Sequence, residues 1–158
     1  MLVRCLGAGV GPFFEKFVAP LQKTQVEQLR RGLLAWLDSR GFPADTAYRV
    51  ATVVDELFCN TMEYSGAAWS EVSADIRGTD VAVSLRDDGV AFDPFEAGKK
   101  DYSVYLASDT DRRLGLYLVT RLARLVDYRR EEGVNEVRFV VEAEPPDPGR
   151  IQRHAGQS

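Results

Sequence analysis

A two-layer α+β sandwich, with helices on one face of a mostly antiparallel sheet, is the fold this sequence predicts. Three observations predict it. Short strand-like segments come in consecutive pairs separated by turn residues, the arrangement that closes antiparallel neighbours. Two long stretches with apolar residues at helical spacing, and a shorter third, supply the covering layer. Finally, 158 residues that are 45% hydrophobic and 28% charged suffice for one sizeable core and not for two.

The elements follow in order. Phe13 to Val18 has strand character and Pro20 ends it. A helix runs from about Thr24 to Ser39, with Val26, Leu29, Leu33, Trp36 and Leu37 as its apolar stripe. Gly41 stands where a left-handed helix terminus is usual, and Pro43 with Asp45 restarts a second helix through about Tyr64. Val50, Val53, Val54, Leu57 and Phe58 form its buried side. Trp69 to Ile76 and Val81 to Arg86 are strands joined by Arg77-Gly-Thr-Asp80, whose glycine and aspartate suit a hairpin. No sustained period runs from Asp93 to about Asp111, a loop long enough to imply a function. Leu114 to Leu125 then reads as a helix, and Val126 to Arg130 with Glu136 to Glu142 as a hairpin turned by Glu131-Glu-Gly-Val-Asn135. Residues 1–144 form one domain, and the Pro- and Gly-rich tail of residues 145–158 is expected to be disordered.

Composition narrows the partners. Lys and Arg number 20 against 24 Asp and Glu, a net charge of −4, so no basic surface for general nucleic-acid binding is implied. Two cysteines, Cys5 and Cys59, fall in no metal-ligand spacing and favour a reducing compartment. No run approaches the roughly 18 apolar residues of a membrane span, and no secretory leader pattern opens the chain. The expectation is a cytoplasmic protein without a membrane partner.

Three segments carry chemistry. On the second helix Glu56, Asn60 and Glu63 recur at spacings of four and three, a polar stripe away from Val50, Val54 and Leu57. An amide oxygen at Asn60 suits hard Mg²⁺, Glu56 can take a proton from an attacking hydroxyl or water, and Glu63 is a neighbour. A solvated helix face is the plainer account of such a stripe. Asp87-Asp-Gly-Val-Ala-Phe92 follows directly on a strand, so the Asp87 carboxylate stands at a sheet end where it can accept from an exocyclic amine, selecting adenine over guanine. Gly89 would let backbone approach the flat base. An acidic turn is the alternative, and Asp88 competes by proximity, although alternation puts the two acids on opposite faces. Leu114-Gly115-Leu116 opens a helix whose free N–H groups can face phosphate, with Arg112 and Arg113 beside it. Solvated arginines and close packing at Gly115 account for these residues singly. Taken together, the segments describe an ATP site.

On these motifs the chain resembles the GHKL, or Bergerat-fold, ATPase superfamily, and within it the small bacterial anti-sigma factor and serine-protein kinase branch. The likeness runs from about Phe13 to Val141. Glu56 and Asn60 match the N-box; Asp87, Gly89 and Ala91 match the first glycine box; Leu114-Gly-Leu-Tyr-Leu-Val119 matches the second. The segment from Leu125 to Asn135 resembles the branch's closing hairpin. The resemblance implies Glu56 as catalytic base, Asn60 as Mg²⁺ ligand, Asp87 as adenine acceptor and residues 93–113 as ATP lid. It implies ATP and Mg²⁺ as cofactors, an anti-anti-sigma antagonist protein as phosphorylation target, a sigma factor as sequestered partner, and a homodimer.

The chain departs from the family pattern at three places. Arg112 and Arg113 replace glycines before the second box, Ala91 replaces a glycine in the first, and Tyr64 stands where many members have histidine. The arginines either bind phosphate or crowd the backbone that should wrap it. They leave a second reading open, a non-catalytic switch module of the same fold that works through protein contacts.

Overall fold

The computed structural model describes residues 11–93 and 118–143. In chain order these form β1 (Phe13–Val18), α1 (Lys23–Ser39), α2 (Ala44–Asn60), a wide helical turn (Thr61–Ser65), β2 (Trp69–Arg77), β3 (Asp80–Asp87), a helical piece at residues 118–122, β4 (Arg124–Glu131) and β5 (Val134–Val141). The five strands make one antiparallel sheet in the order β1-β2-β3-β5-β4. Both long helices lie on one face, as the sequence predicts.

Alternation along the strands decides which face is covered. Val72, Ala74, Val81, Val83, Leu85, Val137, Phe139 and Val141 point inward and are buried. They meet Leu29, Leu33 and Leu37 of α1 and Val50, Val53, Val54, Leu57 and Phe58 of α2 in one core. Each fully buried side chain of this size contributes about 1.5–3 kcal/mol. The opposite face carries ion pairs in place of a core, among them Lys16 and Arg86 flanking Glu71, Arg129 with Glu136, and Arg138 with Asp127. Such pairs keep the face wet and add little stability.

Chain ends are tied locally. Gln25 reaches back to accept from the Gln22 N–H at 2.7 Å, which caps α1. Gly41 closes it in the left-handed region at φ 75°, as expected. Arg49, buried on α2, donates to the carbonyls of Glu142 and Ala143 at 2.8 Å each. It thereby fastens the exit of β5 to α2.

Three boundaries differ from the sequence reading. The helix expected over Leu114 to Leu125 has residues 118–122 helical among those described, and Arg124 and Leu125 already pair with Val140 and Phe139 in β4. A register shift between Leu125 and Asp127 breaks the two-residue period that would have revealed this strand. The five-residue turn expected at Glu131 to Asn135 is shorter, because Glu131 pairs with Val134. Only Glu132 and Gly133 turn the chain, both with positive φ, 48° and 79°. The stretch to Tyr64 is helical, but it widens after Asn60 into a π-type turn. Glu63 is exposed on this turn, yet near enough for its charge to act on Glu56.

Candidate functional site

The register of three adjacent strands assembles the site. Asp87 of β3 lies opposite Asn135 of β5, which lies opposite Arg130 of β4, so three polar residues form a row at one sheet end on the helix side. Asp87 is 9% exposed and Asn135 3%. Asp87 Oδ1 accepts from the Gly89 N–H at 2.9 Å and from Asn135 Nδ2 at 3.1 Å. Its Oδ2 has a single long contact among the described residues, the Thr61 hydroxyl at 3.5 Å, and that hydroxyl also points to the Leu57 carbonyl at 3.2 Å. A carboxyl group with one oxygen committed and one nearly open thus sits in a cleft. Leu57, Leu85, Val90, Phe92 and Val137 wall it, and Asn60, Tyr64 and Ser65 also line it. Apolar walls around one directed acceptor suit a flat heteroaromatic ring bearing an amine.

The two neighbouring acids have separate tasks. Asp88 points the other way, and its Oδ1 accepts from the backbone N–H groups of Ala68 at 2.7 Å and Trp69 at 3.0 Å. It ties the start of β2 to the end of β3 and does not line the cleft. Gly89 also differs in its reason. A Cβ there would lie 2.4 Å from Ser65 Cβ and 2.7 Å from the Ser65 carbonyl oxygen. The glycine admits the π-type turn, and Val90 N–H donates to that same Ser65 oxygen at 2.9 Å. Within the acidic segment Asp87, Val90 and Phe92 line the cleft; Gly89 and Ala91 do not, and Ala91 is exposed.

On α2, Asn60 lines the cleft and Glu56 lies one turn before it, half-buried. Asn60 Nδ2 is buried with no hydrogen-bond partner among the described residues, a cost that a ligand oxygen would remove. Burial pushes the Glu56 carboxyl above its usual range, and the charges of Asp55 and Glu63 push the same way. Asp55, absent from the sequence reading, pairs with Arg30 of α1. Burial raises its carboxyl as well, against the lowering effect of Arg30. Cys59 stands amid Asp55, Glu56 and Glu63, and its thiol is raised to about 11, by burial first and then by those charges.

Of the residues singled out in the sequence, Asn60 and Asp87 share the cleft, with Glu56 adjoining. Arg112, Arg113, Leu114, Gly115 and Leu116 lie outside the described residues, as do most of the expected lid and the tail. The sequence reading missed Asn135, Thr61, Arg130 and Tyr128. The signal for Asn135 was its parity with Asp87, legible only once the hairpin turn is known to have two residues. Among the described residues no three His, Cys, Asp or Glu side chains could hold a metal together, and no helix is long and apolar enough to cross a membrane. Asn60 is a single hard ligand of the kind Mg²⁺ takes alongside phosphate oxygens.

Among curated proteins none matches this chain. Among solved structures, the RsbU and RsbW domains of Rv1364c from Mycobacterium tuberculosis align over 84% of this chain with a TM-score of 0.56 and 17% identity. This chain spans 32% of that one, about a third of its length. The SiaB-SiaC complex from Pseudomonas aeruginosa aligns over 80% of this chain and 88% of that one, with a TM-score of 0.49 and 16% identity. The first likeness is one of fold. The model of the histidine kinase-like ATPase domain matches residues 19–141, a span that contains every element from α1 to β5 and both Asn60 and Asp87. The chain therefore belongs to the histidine kinase-like ATPase domain family, of GHKL type.

Proposed function

We propose that this protein binds ATP with Mg²⁺ and transfers the γ-phosphoryl group to a serine or threonine of a small antagonist protein, as an anti-sigma-factor-type kinase in a partner-switching pathway. Asp87 carries the reading: a buried carboxylate, one oxygen saturated and the other nearly open, in an apolar cleft at a sheet end. Family membership supports ATP as the nucleotide. The kinase branch and its antagonist and sigma-factor partners rest on the motif resemblance. So does the homodimer, for which the exposed Phe14 and Val18 on edge strand β1 offer apolar surface.

The chain's own residues divide the work. Asp87 Oδ2 accepts from the exocyclic amine of the base, and Leu57, Val90 and Phe92 cover its faces. Glu56, made more basic by burial and by Asp55, takes the proton of the substrate hydroxyl as its oxygen bonds to the γ-phosphorus and the bond to ADP breaks. Mg²⁺, held by Asn60, supplies charge neutralisation on the phosphates.

Calorimetric ATP titration with Mg²⁺ and with a chelator, followed by labelled phosphate transfer to a candidate antagonist, tests the proposal. Glu56→Gln should bind ATP nearly as the parent does and transfer nothing; Asp87→Asn should lose about 5- to 100-fold in ATP affinity, the worth of one charge-assisted hydrogen bond. A Glu56→Gln protein with parental transfer removes Glu56 from the chemistry.

A further inference from the structure

We propose that Asn135, locked by Tyr128 and Arg130, is a positioning residue that sets the base preference of this site by fixing which oxygen of Asp87 faces the base. The inference rests on the reading of Asp87 as base acceptor given above. Every hydrogen-bonding capacity of the Asn135 amide is used. Its Oδ1 accepts from the Tyr128 hydroxyl at 2.8 Å and from Arg130 Nη1 at 2.7 Å. Its Nδ2 donates to Asp87 Oδ1 at 3.1 Å and to the Val90 carbonyl at 2.9 Å, with the Gly89 carbonyl further off at 3.4 Å.

The orientation of this amide is forced. Arg130 can only donate and the Val90 carbonyl can only accept, so turning the amide over would set donor against donor and acceptor against acceptor. Arg130 also donates to the Gly89 carbonyl at 2.9 Å, which fixes it independently. The amide in turn restrains Asp87. With Gly89 N–H and Asn135 Nδ2 both on Oδ1, the carboxylate plane is set and Oδ2 turns to the cleft as an acceptor. Val90, a cleft wall, is held by the same amide. An amine at the six position of a purine satisfies that acceptor; a carbonyl there meets it acceptor to acceptor.

Without the amide, water can enter and present either a donor or an acceptor, and Asp87 gains freedom to rotate. Discrimination should then fall while the contacts to the rest of the nucleotide persist. A residue needed for packing alone would weaken all nucleotides alike.

The test measures ATP and inosine triphosphate affinities by calorimetry for the parent and for Asn135→Ala, Tyr128→Phe and Asp87→Asn, each checked for folding by circular dichroism. Parental preference for ATP is expected at about 10-fold or more. Asn135→Ala should lower the preference at least about fivefold through ATP, with inosine triphosphate affinity within about twofold of parent; Tyr128→Phe should lower it about two- to threefold. Equal losses for both nucleotides, or an unchanged preference in either variant, overturn the inference. If Asn135→Ala does not fold, Tyr128→Phe decides by the same ratio, since it leaves Asn135 in place. Asp87→Asn separates the two levels. Preference abolished there but intact in the other variants defeats the role of Asn135 alone, whereas preference intact in Asp87→Asn defeats the base reading and this inference with it.

Discussion

The division of labour between Asp87 and Asp88 gives the sharpest single prediction. The two acids are adjacent, both were candidates for the base, and the structure separates them by what they bind. Asp88→Ala removes the acceptor for the Ala68 and Trp69 N–H groups. Asp88 is half-buried and Ala68 is exposed, so water recovers part of the loss. Two such bonds at about 1 kcal/mol each give about 2 kcal/mol. For a domain of this size that corresponds to a fall in Tm of about 4–8 °C. Asp88→Asn keeps an acceptor oxygen and should lose about half as much.

Thermal denaturation reads the first effect, and ATP titration of the same samples reads the second. Asp88→Ala should change ATP affinity by less than about twofold, whereas Asp87→Asn should do the reverse, losing affinity with a smaller shift in Tm. If Asp88→Ala loses ATP affinity as Asp87→Asn does while its Tm stays parental, Asp88 is the base acceptor. The assignment drawn from the hydrogen-bond geometry would then be wrong.

Other outcomes follow from the same contacts. Gly89→Ala sets a methyl against Ser65, and because the backbone oxygen of Ser65 is part of the clash, the double variant with Ser65→Gly should still unfold at lower urea than Ser65→Gly alone, by about 1–3 kcal/mol. The Glu56 carboxyl is raised in the folded state, so the fold binds its proton more tightly than the unfolded chain and loses stability as pH rises from the ordinary glutamate range through the raised value. Glu56→Gln should therefore have the higher Tm at pH 8, with the advantage gone well below the ordinary range. Cys59, with its thiol at about 11, should alkylate far more slowly at pH 8 in the folded protein than in urea, as read by peptide mapping. Glu132 carries a side chain at φ 48°, so Glu132→Asn, which suits the two-residue turn, should raise stability by about 0.5–1 kcal/mol in urea denaturation.

Much of the fold was legible because its signals are local. The stripe Leu29, Leu33, Leu37 on α1 and the set Val50, Val53, Val54, Leu57 and Phe58 on α2 are buried as their spacing requires, and Gly78 turns β2 into β3 at φ 64°. What stayed hidden depends on partners distant in sequence. The register shift at Leu125/Asp127 erased the strand period. The π-type turn after Asn60 left no mark in composition, and the residue packed closely against it, Gly89, lies far off in sequence beyond the end of β3. Asp87 and Asn60 could be read from residue type and spacing, whereas Asp55 could not, because its partner Arg30 sits on another helix.

The case of Asn135 shows how a turn can determine a site. Placed in a five-residue loop, Asn135 is an unremarkable turn residue. Placed in a strand by a two-residue turn, it faces Asp87 on the helix side, and so does Val137, which walls the cleft. Side chains alternate with a period of two, so one more residue in the turn would send Asn135 to the ion-paired face and bring Glu136 in beside Asp87. Two carboxylates would then share a buried site, and one of them would have to hold a proton. An Asp87 neutralised in this way would present a donor as readily as an acceptor. The positive φ values at Glu132 and Gly133 are therefore part of the site's chemistry, since the charge and orientation of Asp87 depend on the parity they impose.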